Sequence, residues 1–294
     1  MFSRLFRPLD PGQFRACCQR FMAGFAEASR GVVASDGKVL RRSCDTASGQ
    51  SPLHMVSAWA CEQQLVLGQI ATEAKSNQIT AVPKLLKRLS LEGCTVTLAA
   101  LNCQRAIARR IGEQQGEYVM ALKANQGSLH DDVRRFLDDL ASDVIHAQPV
   151  VDGDHGWIET RTASVSTDIA RLQEQHGWPG LAAMCKMHRV RETAGKTTEE
   201  TAYYLLSAAM TPERFGEVTR SPWGSEKRLH WRLDVSMNED QARNRLGHGP
   251  ENLAVLRHMA LNLLRKEPSK GSLPQKLRRA ALSNALLLKV LGQF

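Results

Sequence analysis

Residues 32–43 read VVASDGKVLRRS, from Val32 to Ser43. Two β-branched residues lead to Asp36, and Gly37, Lys38 and two arginines follow shortly after. The stretch predicts a strand that delivers a carboxylate to its end, where open α/β sheets keep their sites. Asp-Gly is also a turn signal, and a polar turn opening at Asp36 fits this stretch taken alone. The neighbouring sequence has to choose between the two.

Upstream, Leu9-Asp10-Pro11 predicts a helix start, with Asp10 as cap and Pro11 in the first turn. Phe14, Cys18, Phe21 and Phe25 recur at helical spacing, so that helix presents an apolar stripe to later parts of the chain. Downstream, His54 to Ala60 and Leu65 to Ala71 have strand character, and the short connection Cys61 to Gln64 suits a hairpin. Ile79 to Leu89 has helical period, Cys94 to Ala100 reads as a buried strand, Gln104 to Glu113 as a helix, Tyr118 to Leu122 as a strand and His130 to Leu140 as a helix. Three strands followed by alternating helices and strands describe an α/β fold, a mixed sheet flanked by helices. The order matches the ribonuclease-H-like arrangement. Beyond residue 145 a β-rich stretch (Trp157 to Val165, Met184 to Arg191, Thr201 to Ser207) reads as an insertion before the last helical part. The expected divisions are an N-terminal helical segment (1–30), a ribonuclease-H-like core (31–145), a β-rich insertion (146–210) and a helical C-terminal part completing the core (211–294).

A chain of 294 residues with a 43% hydrophobic fraction can build a sizeable core. Lysine and arginine number 39 against 30 acids, and the excess is concentrated late. From residue 257 onward Arg257, Arg265, Lys266, Lys270, Lys276, Arg278, Arg279 and Lys289 face one acid, Glu267. Such a tail suits phosphate contacts, and a solvated helix face would look the same. The 7 cysteines lack any Cys-x-x-Cys spacing, which speaks for a reducing compartment and against zinc or disulfides. No apolar run approaches a membrane span, and the first residues do not form a signal peptide. A cytoplasmic setting, bacterial cytosol or nucleoid, is expected.

Several ordered strings carry a resemblance. With Val32–Ser43 come LHMVSAWA (Leu53 to Ala60), LVLGQ (Leu65 to Gln69), KSNQI (Lys75 to Ile79), YVMALKANQ (Tyr118 to Gln126), HGWIETR (His155 to Arg161), WPGL (Trp178 to Leu181), LHWRLDV (Leu229 to Val235) and PENLAVLRHMALNLLR (Pro250 to Arg265). In this order they resemble the DDE transposases of the ISAs-type insertion sequences, the group that includes the H-repeat-associated proteins. The resemblance covers nearly the whole chain, and members usually carry a further N-terminal segment, so this chain reads as N-terminally truncated. It implies a ribonuclease-H-like fold and cutting and joining of double-stranded DNA with Mg2+ or Mn2+. Assembly as a homo-oligomer on DNA is left open.

By the same resemblance Asp36 is the first catalytic, metal-ligating acid. The second belongs directly before Ala100, where Val96-Thr97-Leu98-Ala99-Ala100 carries Ala99 instead. Two-metal cleavage needs ions roughly 3.5 to 4 Å apart, each held by hard oxygen donors, and a methyl group supplies none. The third acid aligns with Glu226, expected in or near a first helical turn after Ser221-Pro222, where the helix dipole also favours an acid. Asp234, Glu239 and Asp240 are the alternatives. Lys38, Lys75, Lys123, Arg257 and Arg265 are the candidate DNA-binding cations. Helical spacing in the Pro250 segment predicts that Leu253, Leu256, Met259, Ala260, Leu263 and Leu264 pack inward, leaving Arg257 and Arg265 outward. His188, His230 and His258 lack metal-binding spacing among themselves. The readings are an insertion-sequence transposase impaired at Ala99, a DNA-binding relic that no longer cuts, and a nuclease of the same fold.

Overall fold

The computed structural model describes residues 2–26, 30–44, 49, 51–72, 78–140, 144–154, 156–225 and 229–292. The chain begins with α1 (Phe2–Leu5) and α2 (Pro11–Ala26), then three strands, β1 (Gly31–Leu40), β2 (Leu53–Ala60) and β3 (Leu65–Thr72). Next come α3 (Gln78–Leu86), β4 (Cys94–Leu98), α4 (Arg105–Glu113), β5 (Glu117–Leu122) and α5 (Ser128–Arg135), which runs into a π turn over Phe136–Leu140. A β-rich series follows: β6 (Ile145–His146), β7 (Val150–Asp154), β8 (Trp157–Ser166), α6 (Ala170–His176), β9 (Ala183–Thr193) and β10 (Lys196–Leu206). The chain closes with α7 (Pro212–Ser225), α8 (Trp231–Met237), α9 (Gly249–Lys266), α10 (Leu273–Leu282) and α11 (Asn284–Leu291). The fold is α/β, a mixed sheet flanked by helices in the ribonuclease-H-like order. No helix among the described residues is long and apolar enough to cross a membrane, and none of the seven cysteines forms a disulfide among the described residues.

Two compact units form, one of Met1–Ser90 with Trp223–Phe294, the other of Leu91–Pro222. In the first, β1, β2 and β3 make an antiparallel meander, with Asp36 opposite Ser57 and Ser57 opposite Gln69. The α2 start is as expected: Asp10 Oδ1 accepts from the Gln13 amide at 2.7 Å. Helix α3 lies against one face, where Gly68 lets Leu85 and Leu89 approach; a Cβ there would sit 3.2 Å from each. On the other face α8 and α9 bury Leu229, Leu233 and Leu261 against Trp59 and Val66, and Ala254 against Leu40 and Met55.

Three expectations are corrected, two of them in this unit and the one on Ser221-Pro222 in the other. Asp36 lies inside β1 rather than at its end, because β1 stays paired with β2 as far as Leu40 opposite Leu53. Ser221-Pro222 does not open a helix. It sits in the last turns of α7, which starts at Pro212 with the Thr211 hydroxyl accepting from the Arg214 amide at 3.2 Å. The inward face of α9 is turned from part of the expected one: Leu263 and Leu264 are buried as expected, but Ala254, Val255, His258, Leu261 and Asn262 are buried too, and Leu253, Leu256, Met259 and Ala260 only partly.

In the second unit β4 and β5 pair in parallel, joined by α4 as a parallel connection requires. The β-rich stretch extends this sheet, since β10 pairs with β5 through Tyr203 opposite Leu122, and β9, β8, β6 and β7 follow antiparallel. Trp178 is buried here, with Arg105 stacked 5.2 Å from its ring centroid.

Candidate active site

Side chains two apart on a strand share a face, so Asp36 and Lys38 both look towards α8 and α9. The Asp36 carboxylate is held at both oxygens. Oδ1 accepts from the Gly37 amide at 2.7 Å and Oδ2 lies 3.1 Å from His230 Nε2. Desolvation pushes its pKa up, but the hydrogen bond and charge of His230, with the Gly37 amide, outweigh it and keep the carboxyl below its ordinary value. Its side chain still exposes 48% of its surface, against 13% for His230.

Lys38 is half-buried among acids. Its ammonium hydrogen-bonds Asp234 Oδ1, reaches Glu239 Oε2 at 2.9 Å and lies 3.7 Å from Asp240 Oδ1. Burial works against its charge, yet the charge of Glu239 and the Asp234 and Glu239 hydrogen bonds prevail and raise its pKa. The chain returns these acids to Lys38 through a left-handed C-cap at Asn238 (φ 56°), after which the Glu239 amide donates to Leu233 O at 3.0 Å. Close by on α9, His258 is buried with Nδ1 on Gln69 Oε1. Burial first, then the charges of His230, Lys38 and Arg257, push its pKa down to about 3.

The other expected site residues are distributed as follows. Ala99 is exposed at the end of β4, in extended conformation (φ −68°, ψ 160°), and its carbonyl accepts from the Asn102 amide at 2.8 Å. Lys123 is exposed directly after β5. Lys75 and Glu226 lie outside the described residues. The placement of Lys38 corrects its expected DNA contact, because three carboxylates already surround its ammonium. Arg257 and Arg265 are not outward either. Arg257 is half-buried, desolvation lowering its pKa against the opposing pull of Glu239. Arg265 donates to Gln64 O and stacks 4.6 Å from the centroid of Trp59.

The alternatives for the third acid, Asp234, Glu239 and Asp240, are partners of Lys38. What the sequence reading missed was His230. Its only trace there is the four-residue spacing to Asp234 inside LHWRLDV, which puts both on one helix face. Magnesium wants near-octahedral oxygen ligation, and Asp36 offers one carboxylate; no group of three or more His, Cys, Asp or Glu able to hold a metal occurs among the described residues. The described donors alone therefore do not fit a divalent ion.

A family model described as Transposase DDE domain matches residues 27–263. The "H repeat-associated putative transposase YhhI" of Escherichia coli (strain K12) is 34% identical over 99% of this chain and 79% of that protein. The "Putative transposase YncI" of Escherichia coli O157:H7 is 36% identical over 89% of this chain and 69% of its own length. Among solved structures, the piggyBac transposase synaptic complex with hairpin DNA is similar at a TM-score of 0.47 and 10% identity, covering 88% of this chain and 54% of that one. On the family match and the identity to these relatives, the chain belongs to the DDE transposase-domain family.

Proposed function

We propose that this chain is an ISAs-type, DNA-binding transposase whose strand cleavage is impaired because position 99 has no carboxylate. The observation that carries the proposal is Ala99: an exposed methyl stands at the end of β4, where the family pattern has its second aspartate. The divalent-metal chemistry of the family needs hard oxygen donors, and of the described acids gathered here Asp234, Glu239 and Asp240 are engaged by Lys38, which leaves Asp36. Double-stranded DNA is the partner in this reading, met where a bacterial chromosome lies. Lys123, Lys270, Arg278 and Lys289, all exposed, are better placed to meet phosphates than Lys38, Arg257 or Arg265, which have partners or neighbours within the protein.

The test is Ala99→Asp, with manganese affinity measured by calorimetry and nicking measured on DNA carrying the element's ends. A hard oxygen donor at position 99 should raise manganese affinity by roughly tenfold or more, equal to about 1.4 kcal/mol, and nicking should appear. Glu226→Gln in the same background should remove the nicking. Unchanged manganese affinity would overturn the reading of position 99 as a metal-ligand position. The same observation favours a second reading, a DNA-binding relic, which predicts salt-sensitive DNA binding by the natural chain without any nicking.

A further inference from the structure

We propose that His230 is a positioning residue for Asp36, held in place by the ion pair between Lys38 and Asp234. The inference deepens the function proposed above, in that it takes Asp36 as the first acid of the site.

Two periodicities meet here. Residues two apart on a strand advance about 6.7 Å, and residues four apart on a helix advance about 6 Å. Asp36 and Lys38 on β1 therefore match His230, the N-cap of α8, and Asp234 within it, giving two rungs between one strand and one helix. His230 already has helical dihedrals (φ −61°, ψ −48°), so the four-residue spacing applies to it. The rungs are of opposite sense: the strand supplies the acid in the first and the base in the second. Sliding α8 by one turn would set Asp234 against Asp36 or His230 against Lys38, and neither is a favourable pair. Only the observed register satisfies both rungs.

Packing fixes the helix around them. Leu229 and Leu233, beside His230 on either side, are buried against Trp59, Val66 and Leu261. The imidazole is thus enclosed while its partner stays open to solvent. With Nε2 carrying the proton, His230 donates to Asp36 Oδ2, and the Gly37 amide fixes Oδ1. Both oxygens are oriented and the carboxylate still faces water, so whatever reaches it from solvent meets a carboxylate of fixed direction. The other charged or titratable groups around the rungs are Glu239 and Asp240 at Lys38 and Arg257 and His258 from α9.

The test reads Asp36 itself, in full-length protein without added metal, from the 13C signal of its carboxyl carbon at fixed pH. His230→Ala should shift and broaden that signal. His230→Gln, whose amide nitrogen can take the place of Nε2, should restore it, and the shorter His230→Asn should not. Asp234→Asn should move the Asp36 signal although it does not touch Asp36, while Val235→Ala on the exposed side of α8 should leave it unchanged. A signal that stays put in His230→Ala, or that is the same in the Gln and Asn variants, overturns the positioning role; one unmoved by Asp234→Asn overturns the part given to the ion pair. Manganese titration of Ala99→Asp separates this inference from the reading beneath it. No gain on Ala99→Asp sinks the reading of position 99 beneath it, and the metal-free spectra still decide whether His230 positions Asp36. A gain that His230→Ala reduces about ten- to a hundredfold, and His230→Gln preserves, is the expected result.

Discussion

His258 is an ionisable side chain kept from water, and its pKa near 3 follows from burial and from the cations around it. A group whose folded pKa lies below its unfolded value of about 6.5 binds fewer protons folded than unfolded between the two. Stability should therefore rise with pH from about 3 to about 6.5, and His258 adds a slope approaching about 1.4 kcal/mol per pH unit within that window. Urea unfolding at several pH values on the natural chain and on His258→Asn checks this: the difference between the two curves should grow with pH across the window and level off above it. Asp36, whose pKa is lowered, loses its contribution as pH falls below the ordinary carboxylate range, and that loss is common to both proteins and cancels in the comparison. At this scale the sequence showed which residues carry charge but not what they face. Asp36 and Lys38 could be singled out from a dozen residues of local pattern. Their partners lie some two hundred positions away, and no local rule distinguishes a lysine that will meet DNA from one that three carboxylates will surround.

Helix α9 shows why elements are easier to read than their faces. Its start at Pro250 and its apolar content were legible, yet it buries Asn252, His258 and Asn262 while leaving Leu256 half-exposed. The asparagines turn inward because backbone groups need partners there. Asn262 donates to Val66 O at 2.8 Å and accepts from Val66 N at 2.9 Å, and Asn252 donates to Phe6 O and Leu9 O, each at 2.9 Å. A hydrophobicity pattern cannot record such partners. Leu261→Ala should cost about 2 to 5 kcal/mol, Leu256→Ala clearly less, and Asn262→Ala about 1 to 3 kcal/mol for the Val66 groups it leaves unpaired. Thermal unfolding of the three variants should rank them so that Leu256→Ala is the mildest. The Ser221-Pro222 pair misled in a different way. Proline is a start signal only when no helix is already running, and Thr211-Pro212 had begun α7 ten residues earlier.

For the whole molecule, the succession of strands and helices was readable because each is periodic, whereas the continuation of the β5 sheet into β10 depends on pairing across about eighty residues. Association with duplex DNA through exposed cations should weaken steeply with salt, with log affinity falling by about 0.9 per phosphate contact for each unit of log salt. Fluorescence titrations from 50 to 200 mM salt check this, and Lys123→Ala should lower the slope by about one contact. Among the described residues each compact unit also has one fully buried indole beneath a guanidinium, Trp59 under Arg265 in the first and Trp178 under Arg105 in the second. Both indoles are 1% exposed, so each emits from a dry environment when folded and shifts to longer wavelength once released. Variants that retain one of these tryptophans, with phenylalanine at the other four, would make the emission colour a separate clock for each unit, and the order in which the two clocks run would say whether the chain comes apart in one step or two.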